Sequence, residues 1–406
     1  MICPICKSNN TDLLLDYGQY PYFTVPVKKS DKKKIIKQYS RDQLFSELKY
    51  TSCKDCGHVY ICKTPDQNII DNLYSNYYSY PSALKGEFEP DRDNNFLNIF
   101  KDVFDPICKA RNLENVLEVG CYDGFILNHL QRYGYNVSGC DPSEGAEIGK
   151  AFGLEIQREF FDPSNYLDNG ITFDIVISRH FIEHTINPNE LIISLKSVLK
   201  RDGLLILETP NIQHCLEKGL LEVFSLQHIT LFTAKSLECL MNKLGFEVLL
   251  TEKTPDNLIM LAKRSATHKQ SNPGSFGNTI NQFSRQVVEN KKRIKNAVED
   301  FINNENSIAI WGAGGFGIAA LNLYDIPTEK IDFYIDSAPQ KWGMEYITNS
   351  IPIMSPLDAK ETPPDLIIAA SMYSSGIMNT IREMQLNCST LLLSPDVLLE
   401  LAPNSN

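Results

Sequence analysis

Apolar residues fall in short runs along this chain, and between residues 115 and 262 those runs alternate with stretches of helical periodicity. Asn115–Val119, Asn136–Cys140, Phe173–Ser178, Leu204–Glu208 and Phe246–Thr251 read as strands, with Leu258–Ala262 a further candidate beside the last. Pro188–Leu199 and Ala234–Leu244 read as helices, the second stopped by Gly245. This alternation predicts an α/β, doubly wound sheet of Rossmann-like type, whose ligands sit at the carboxyl ends of its strands. Further on, Ile280, Phe283, Val287, Ile294, Val298 and Phe301 recur at helical spacing and mark one buried face. Strand-like runs follow at 307–311, 331–336, 365–370 and 390–393, a second Rossmann-like unit. A stretch rich in Ser, Asn, Thr, Gly and Pro, from Arg264 to Gly277, separates the two. Three segments result: 1–84, 85–263 and 278–406.

A length of 406 residues exceeds one ordinary core and agrees with several domains. A net charge of −11 argues against a general nucleic-acid binder, which needs a basic face. The apolar runs are too short to cross a bilayer, so no membrane insertion is expected. Met1-Ile-Cys-Pro-Ile-Cys6 does not resemble an export signal, which points to a reduced, cytoplasmic setting. The 11 cysteines then suggest metal binding before disulfides.

Two Cys-x-x-Cys pairs, Cys3/Cys6 and Cys53/Cys56, present four thiolates suited to tetrahedral, structural Zn2+. A small segment with little core of its own would draw folding energy from that ion. His58 and Cys62, close by, are expected to be bystanders. The lysine-rich run Lys28–Lys37 reads as a solvated loop or hairpin tip. Tyrosines crowd Asn72–Ser82, where ring and hydroxyl together suit a sugar or nucleotide, or simply packing between domains.

The first strand of the central segment runs into a glycine turn, Glu118-Val-Gly120-Cys121-Tyr122-Asp123-Gly124, and then a helix. Gly120 and Gly124 let backbone approach a ligand, and Asp141, ending the next strand, can accept hydrogen bonds from both ribose hydroxyls. Glu118 would repel phosphates but suits an ammonium, so the expected cofactor is S-adenosylmethionine. Cys121 and Asp162 are counted with these as cofactor-binding.

Methyl transfer from a sulfonium needs an aligned acceptor and a group that takes its proton. Histidine suits the second task. His180 and His184 are four residues apart, so a helical turn would put both on one side above the strand ends. His228 follows the next strand and is the first choice as base, with His180 second. In the last segment, Gly312, Gly314 and Gly317 form a Gly-x-Gly-x-x-Gly turn after a strand, and Asp336 ends the following one. These positions are expected to bind a nucleotide sugar or to be purely structural. The run Asp336–Gly343 with Ile351-Pro-Ile-Met is also similar to the nucleotide-sugar-binding half-domain of sugar acetyltransferases.

The order of these parts resembles the three-domain sugar C-methyltransferases of deoxysugar pathways, which methylate a 4-keto nucleotide sugar at C-3. The resemblance covers the whole chain and implies zinc on Cys3, Cys6, Cys53 and Cys56, and S-adenosylmethionine on Glu118, Gly120, Gly124 and Asp141. It implies sugar contacts from Tyr78 and Tyr80, and a small-molecule nucleotide-sugar substrate facing the C-terminal domain. There are departures. Where the family carries a Tyr-x-Glu-His-type sequence, this chain has Ser225-Leu226-Gln227-His228, keeping the histidine but not the tyrosine or glutamate. Tyr122 stands where the cofactor loop often has glycine. The alternatives are O-methylation of a capsule, lipopolysaccharide or other glycan sugar, and a non-catalytic scaffold that binds the cofactor or a sugar nucleotide. The sequence leaves oligomeric state open.

Overall fold

The computed structural model describes residues 2–77, 81–87, 91–266, 274–371, 374–393 and 398–400. The chain divides into two compact units. One gathers Met1–Asp12, Thr51–Gln213 and Gln227–Phe276; the other gathers Leu13–Tyr50, His214–Leu226 and Gly277–Asn406.

The first unit is built on a seven-stranded sheet. Its strands are β1 (Asn115–Val119), β2 (Asn136–Cys140), β3 (Ile156–Gln157), β4 (Phe173–Arg179), β5 (Leu199–Pro210), β6 (Phe246–Lys253) and β7 (Asn257–Arg264). They lie in the order β6-β7-β5-β4-β1-β2-β3. Neighbours from β5 to β3 are parallel, while β7 is antiparallel to both β5 and β6. Every residue of β4 is buried, as a central strand covered on both faces requires. Helices α1 (Phe125–Arg132), α2 (Gly145–Ala151), α3 (Pro188–Val198) and α4 (Ala234–Lys243) connect the strands. Local chemistry starts two of them. Asn187 caps α3 by accepting the Glu190 N–H, with Pro188 in the first turn, and Thr233 forms a capping box with Ser236 at α4. Leu117, Val119, Val176, Leu205 and Leu207 pack with Leu191, Leu195 and Leu240 on one face of the sheet. Val116, Ile175, Ile177 and Ile206 pack with Ile126, Leu127 and Leu130 on the other. The expected doubly wound α/β sheet is therefore present, with Leu258–Ala262 paired beside Phe246–Thr251.

The second unit carries a six-stranded sheet. Its strands are β8 (Ile308–Trp311), β9 (Phe333–Ile335), β10 (Ile353–Met354), β11 (Leu366–Ala369), β12 (Ser389–Leu392) and β13 (Leu398–Glu400), ordered β10-β9-β8-β11-β12-β13. All pairings are parallel except β12 with β13. Helix α5 (Gly277–Asn303) buries Ile280, Phe283, Val287, Ile294 and Val298, the face that the spacing marks; Phe301 is only half-buried. The lysine-rich run is not a loop. Lys29–Gln38 is a helix, anchored by fully buried Ile35, and Lys32 donates to Glu345 at 2.8 Å. One apolar anchor and ion pairs of Lys29 and Lys32 with Glu345 and of Lys34 with Asp31 outweigh repulsion among the lysines.

Among the described residues, no helix is long and apolar enough to cross a membrane.

Candidate active site and metal cluster

In the first unit, Cys3 Sγ lies 3.7 Å from Cys56 Sγ, and Cys6 Sγ lies 3.5 Å from Cys53 Sγ. All four sulfurs lie within 4.8 Å of one another. Tetrahedral metal–sulfur bonds of about 2.3 Å put sulfurs about 3.8 Å apart, so the cluster has the dimensions of a four-thiolate metal site. Two tight turns build it. The Lys7 N–H donates to Cys3 O at 3.1 Å and the Gly57 N–H to Cys53 O at 2.9 Å. Gly57 has φ +71°, and a side chain there would strike Phe276 and Thr233 at 2.8 Å. His58 and Cys62 stay outside the cluster. His58 is buried with Nε2 3.0 Å from Thr230 Oγ1, and Cys62 Sγ contacts Thr51 Oγ1 at 3.2 Å.

The glycine turn after β1 forms as its sequence predicts. Gly120 and Gly124 have φ of +78° and +76°. A Cβ at Gly124 would meet Ile156 and Leu154 at 2.7 Å. Tyr122 also has a positive φ, +49°, which explains why glycine suits that position. Asp141 holds the turn from the end of β2. Its Oδ2 accepts the Tyr122 N–H at 2.9 Å, and its Oδ1 accepts the Ser143 N–H at 2.9 Å and the Ser143 hydroxyl. A carboxylate oxygen accepts more than one hydrogen bond, so Oδ2 has capacity left for a ribose hydroxyl.

Glu118 is 2% exposed, and its Oε2 has no hydrogen-bond partner. Burial pushes its carboxyl up to about 8, against the pull of Arg179, whose Nη1 is 3.9 Å away. An orphaned buried oxygen beside the loop fits the ammonium of S-adenosylmethionine, so the residues present suit that cofactor. Cys121 is buried in the turn, its thiol pushed well up by burial. Asp162 lies exposed beyond β3, where its Oδ1 accepts the Ser164 N–H at 2.9 Å and the Ser164 hydroxyl at 2.7 Å.

Three residues here escape a sequence reading. Arg179, 8% exposed, donates to Glu208 at 2.6 Å and to Asp93 at 2.8 Å, and its guanidinium lies 4.3 Å over the Phe96 ring. Only a basic residue closing a fully buried strand hints at it. Asp123, beside the turn, accepts from Ser82 Oγ at 2.7 Å and from the Phe125 N–H at 3.0 Å. The third is Glu183.

The Glu183 side chain is 1% exposed and is surrounded by histidines. His180 Nδ1 is 3.4 Å and His184 Nε2 4.0 Å from Glu183 Oε1, and His228 shares the cluster. Burial opposes ionisation of Glu183, but the His180 contact and the three imidazoles outweigh it and hold the carboxyl down at about 2. Burial pushes the His184 imidazole down from its ordinary value. The residues between His180 and His184 do not form the expected α-helical turn: His180 has φ +48° and Ile182–His184 is a 3-10 turn. That left-handed residue turns the chain sharply as it leaves β4, so both imidazoles still reach one carboxylate. The rings of His184 and His228 lie 5.0 Å apart. A carboxylate therefore lies near His228 even though Gln227 precedes it, since Glu183 comes within 4.8 Å from another element.

In the second unit, Gly312 and Gly317 are required by packing. A Cβ at either would meet backbone oxygen, of Ala370 or of Gly312, at 2.3 Å. The Asp336 carboxylate accepts the Ala313 and Ala338 N–H groups at 2.9 Å each and pairs with Lys341 at 2.8 Å. Asp336 therefore fastens the glycine turn to the loop after β9, while Gly314 faces open space. Tyr78 and Tyr80 lie outside the described residues.

Two family models match consecutive stretches of the chain. Residues 92–251 match the family model described as a methyltransferase domain, and residues 251–393 match a C-methyltransferase C-terminal domain. Curated relatives include the ubiquinone biosynthesis O-methyltransferase of Rhizobium leguminosarum bv. trifolii, 28% identical over 127 residues, 30% of this chain and 50% of that protein. The protein of the same description from Ruegeria sp. is 31% identical over 101 residues, 24% of this chain and 41% of its own. The chain spans about half the length of the curated relatives it matches. Among solved structures, magnesium protoporphyrin IX methyltransferase from Synechocystis PCC 6803 with bound SAH is 18% identical. That match covers 49% of this chain and 100% of that one, with a TM-score of 0.36. By its family-model match the central domain is a methyltransferase domain. The domain after it is of the kind that accompanies C-methyltransferases.

Proposed function

We propose that this chain transfers a methyl group from S-adenosylmethionine to a nucleotide-linked 4-keto deoxysugar, at the carbon beside the ketone. The observation that carries the reading is the Glu183 cluster: a buried carboxylate with His180, His184 and His228 gathered around it at the carboxyl ends of β4 and β5, near the Gly120–Asp141 turn. The C-methyltransferase C-terminal match and the four-cysteine cluster ahead of the methyltransferase domain support the same order of parts.

When bound, the cofactor supplies an activated methyl on a sulfonium. Glu118 would take its ammonium, the Gly120–Gly124 turn with Cys121 its edge and Asp141 its ribose, with Asp162 counted as a further cofactor contact. An imidazole of the cluster, His228 first and His180 or His184 beside it, would take the proton from the acceptor carbon. Glu183 would stabilise the imidazolium so formed. The carbon's electron pair then takes the methyl as the carbon–sulfur bond breaks onto sulfur. Cys3, Cys6, Cys53 and Cys56 would hold a structural Zn2+, since four thiolates leave no open position. Tyr78 and Tyr80 remain the proposed sugar contacts, and a nucleotide at the Gly312–Gly317 turn and Asp336 is a separate proposal for the second unit.

O-methylation of a sugar hydroxyl is a second reading, favoured by the similarity to ubiquinone biosynthesis O-methyltransferases and by Gln227 in place of glutamate. The deciding experiment offers labelled S-adenosylmethionine and a panel of 4-keto and reduced nucleotide sugars in deuterated water, read by mass spectrometry and NMR. A methyl on carbon beside the ketone, with solvent deuterium entering that carbon, supports the first reading. A methyl on oxygen replaces it with the second, and no transfer to any sugar rejects both sugar acceptors.

A further inference from the structure

The His184 ring is held in one orientation. Its Nδ1 lies 2.8 Å from the Gln227 carbonyl oxygen, which can only accept, so Nδ1 carries the hydrogen and Nε2 carries the lone pair. The Tyr74 hydroxyl sits 2.9 Å from the same Nδ1 and donates to Gln227 Oε1 at 3.2 Å. The lone pair on Nε2 faces Glu183 Oε1 across 4.0 Å. Thr209 Oγ1 donates to the other carboxylate oxygen, Oε2, at 3.1 Å, which fixes the plane of the group. A donor atom of His228 completes a set of three, all within 4.8 Å of one another.

Two acceptors facing each other repel unless a positive charge lies between them. A proton shared by nitrogen and oxygen draws them to about 2.7–3.2 Å. Two metal–ligand bonds of about 2.0–2.2 Å put their donor atoms about 3.4 Å apart at a tetrahedral angle and up to about 4 Å as the angle opens. The gap here is too long for a shared proton and lies at the open end of the second range. The anchoring matches too: metal-binding histidines donate their other ring N–H to a carbonyl or carboxylate, and metal-binding carboxylates are themselves hydrogen-bonded.

We propose that Glu183, His184 and His228 hold a divalent first-row transition-metal ion. Two imidazoles and one carboxylate suit Mn2+, Fe2+ or Zn2+ and leave coordination positions open, unlike the four-thiolate cluster. The use of this ion rests on the methyl-transfer reading. An open position takes an oxygen of the acceptor and lowers its pKa, which favours substrates with a hydroxyl or carbonyl at or beside the methylated atom. With His228 engaged, the acceptor's proton passes to His180, which lies between Glu183 and Glu208 at 3.4 and 3.7 Å. The oxygen, or the carbon of its enolate, then bonds the methyl as the sulfur–carbon bond breaks, and sulfur keeps the pair.

The test titrates the full chain with Mn2+ alone, followed by electron paramagnetic resonance, because Mn2+ is a poor match for thiolates. One ion per chain is expected, with affinity at least tenfold weaker in Glu183→Gln, in His184→Ala and in His228→Ala. Binding of labelled S-adenosylmethionine, measured in parallel, reports whether each variant is folded. Absence of Mn2+ binding in the unmodified chain, or equal binding in all folded variants, overturns the proposal. So does full-rate methyl transfer by chain stripped of this ion. Mn2+ binding without transfer to any sugar upholds the metal site and removes only the sugar acceptor.

Discussion

The Asp141 carboxylate accepts the backbone N–H of Tyr122 at 2.9 Å, and so ties the end of β2 to the one residue of the cofactor turn that needs a left-handed backbone without being glycine. Asp141 thus has two jobs, holding the turn and offering an oxygen to ribose. Asp141→Ala should weaken S-adenosylmethionine binding by about 10- to 100-fold, the worth of one or two charge-assisted hydrogen bonds. Isothermal calorimetry gives the affinity and circular dichroism the fold. Unchanged affinity would remove Asp141 from the site.

Glu118 links cofactor binding to protons. With its carboxyl raised to about 8 by burial, it is largely protonated at pH 7 in the free chain and ionised against the cofactor's ammonium. Binding at pH 7 should therefore release protons, and Glu118→Gln should release fewer. Calorimetry in buffers of different ionisation enthalpy measures the difference, and identical release from both would rule Glu118 out as the ammonium's partner.

A second buried acid links stability to pH. Burial raises the Glu222 carboxyl to about 7, and Tyr324 donates to it at 3.0 Å. The folded chain then binds more protons than the unfolded one between about 4.5 and 7, so this group's contribution is full below 4.5 and is lost as pH rises through 7. The loss amounts to about 3 kcal/mol, and Glu222→Gln should recover most of it at pH 8. Urea unfolding at pH 5 and pH 8 is the check; a variant with the same pH dependence as the parent would refute the assignment.

His228→Ala should reduce turnover by at least 100-fold while leaving S-adenosylmethionine affinity within about threefold, since the Glu183 cluster serves the acceptor and not the cofactor. Full activity in the variant would move the chemistry away from this histidine.

Cys53→Ser should abolish retention of zinc after dialysis against a mild chelator, where the parent keeps one ion per chain on the thiolate cluster. Elemental analysis decides it, and a folded parent without zinc would contradict the structural role.

The alternation of apolar runs made the central sheet legible from residues alone, because the middle of a strand buried on both faces is apolar at successive positions, as Ile175-Val-Ile177 is. The cofactor turn was legible for a related reason: Gly120 and Gly124 occupy backbone conformations that few other residues adopt. Glu183 was not. Within Arg179-His-Phe-Ile-Glu183-His184 an acidic residue between histidines has no periodic signature, and an α-helical reading of the segment does not anticipate the φ of +48° at His180. That one dihedral aims the ring of His180 at Glu183. The helix over Lys29–Gln38 was hidden because its composition is that of a solvated loop, and its single anchor, Ile35, carries no period.

The two cysteine pairs stand at opposite ends of a long excursion of the chain, for residues 13–50 belong to the second compact unit while Cys3, Cys6, Cys53 and Cys56 all belong to the first. An ion on those thiolates is a clasp on a loop. Closing a segment of this length by chance costs the unfolded chain about 3 kcal/mol of entropy, and the clasp removes that cost before the strands meet. Loss of the metal would then act on both ends of the excursion at once, and refolding without it would be slowed at the step where the chain has to find its way back.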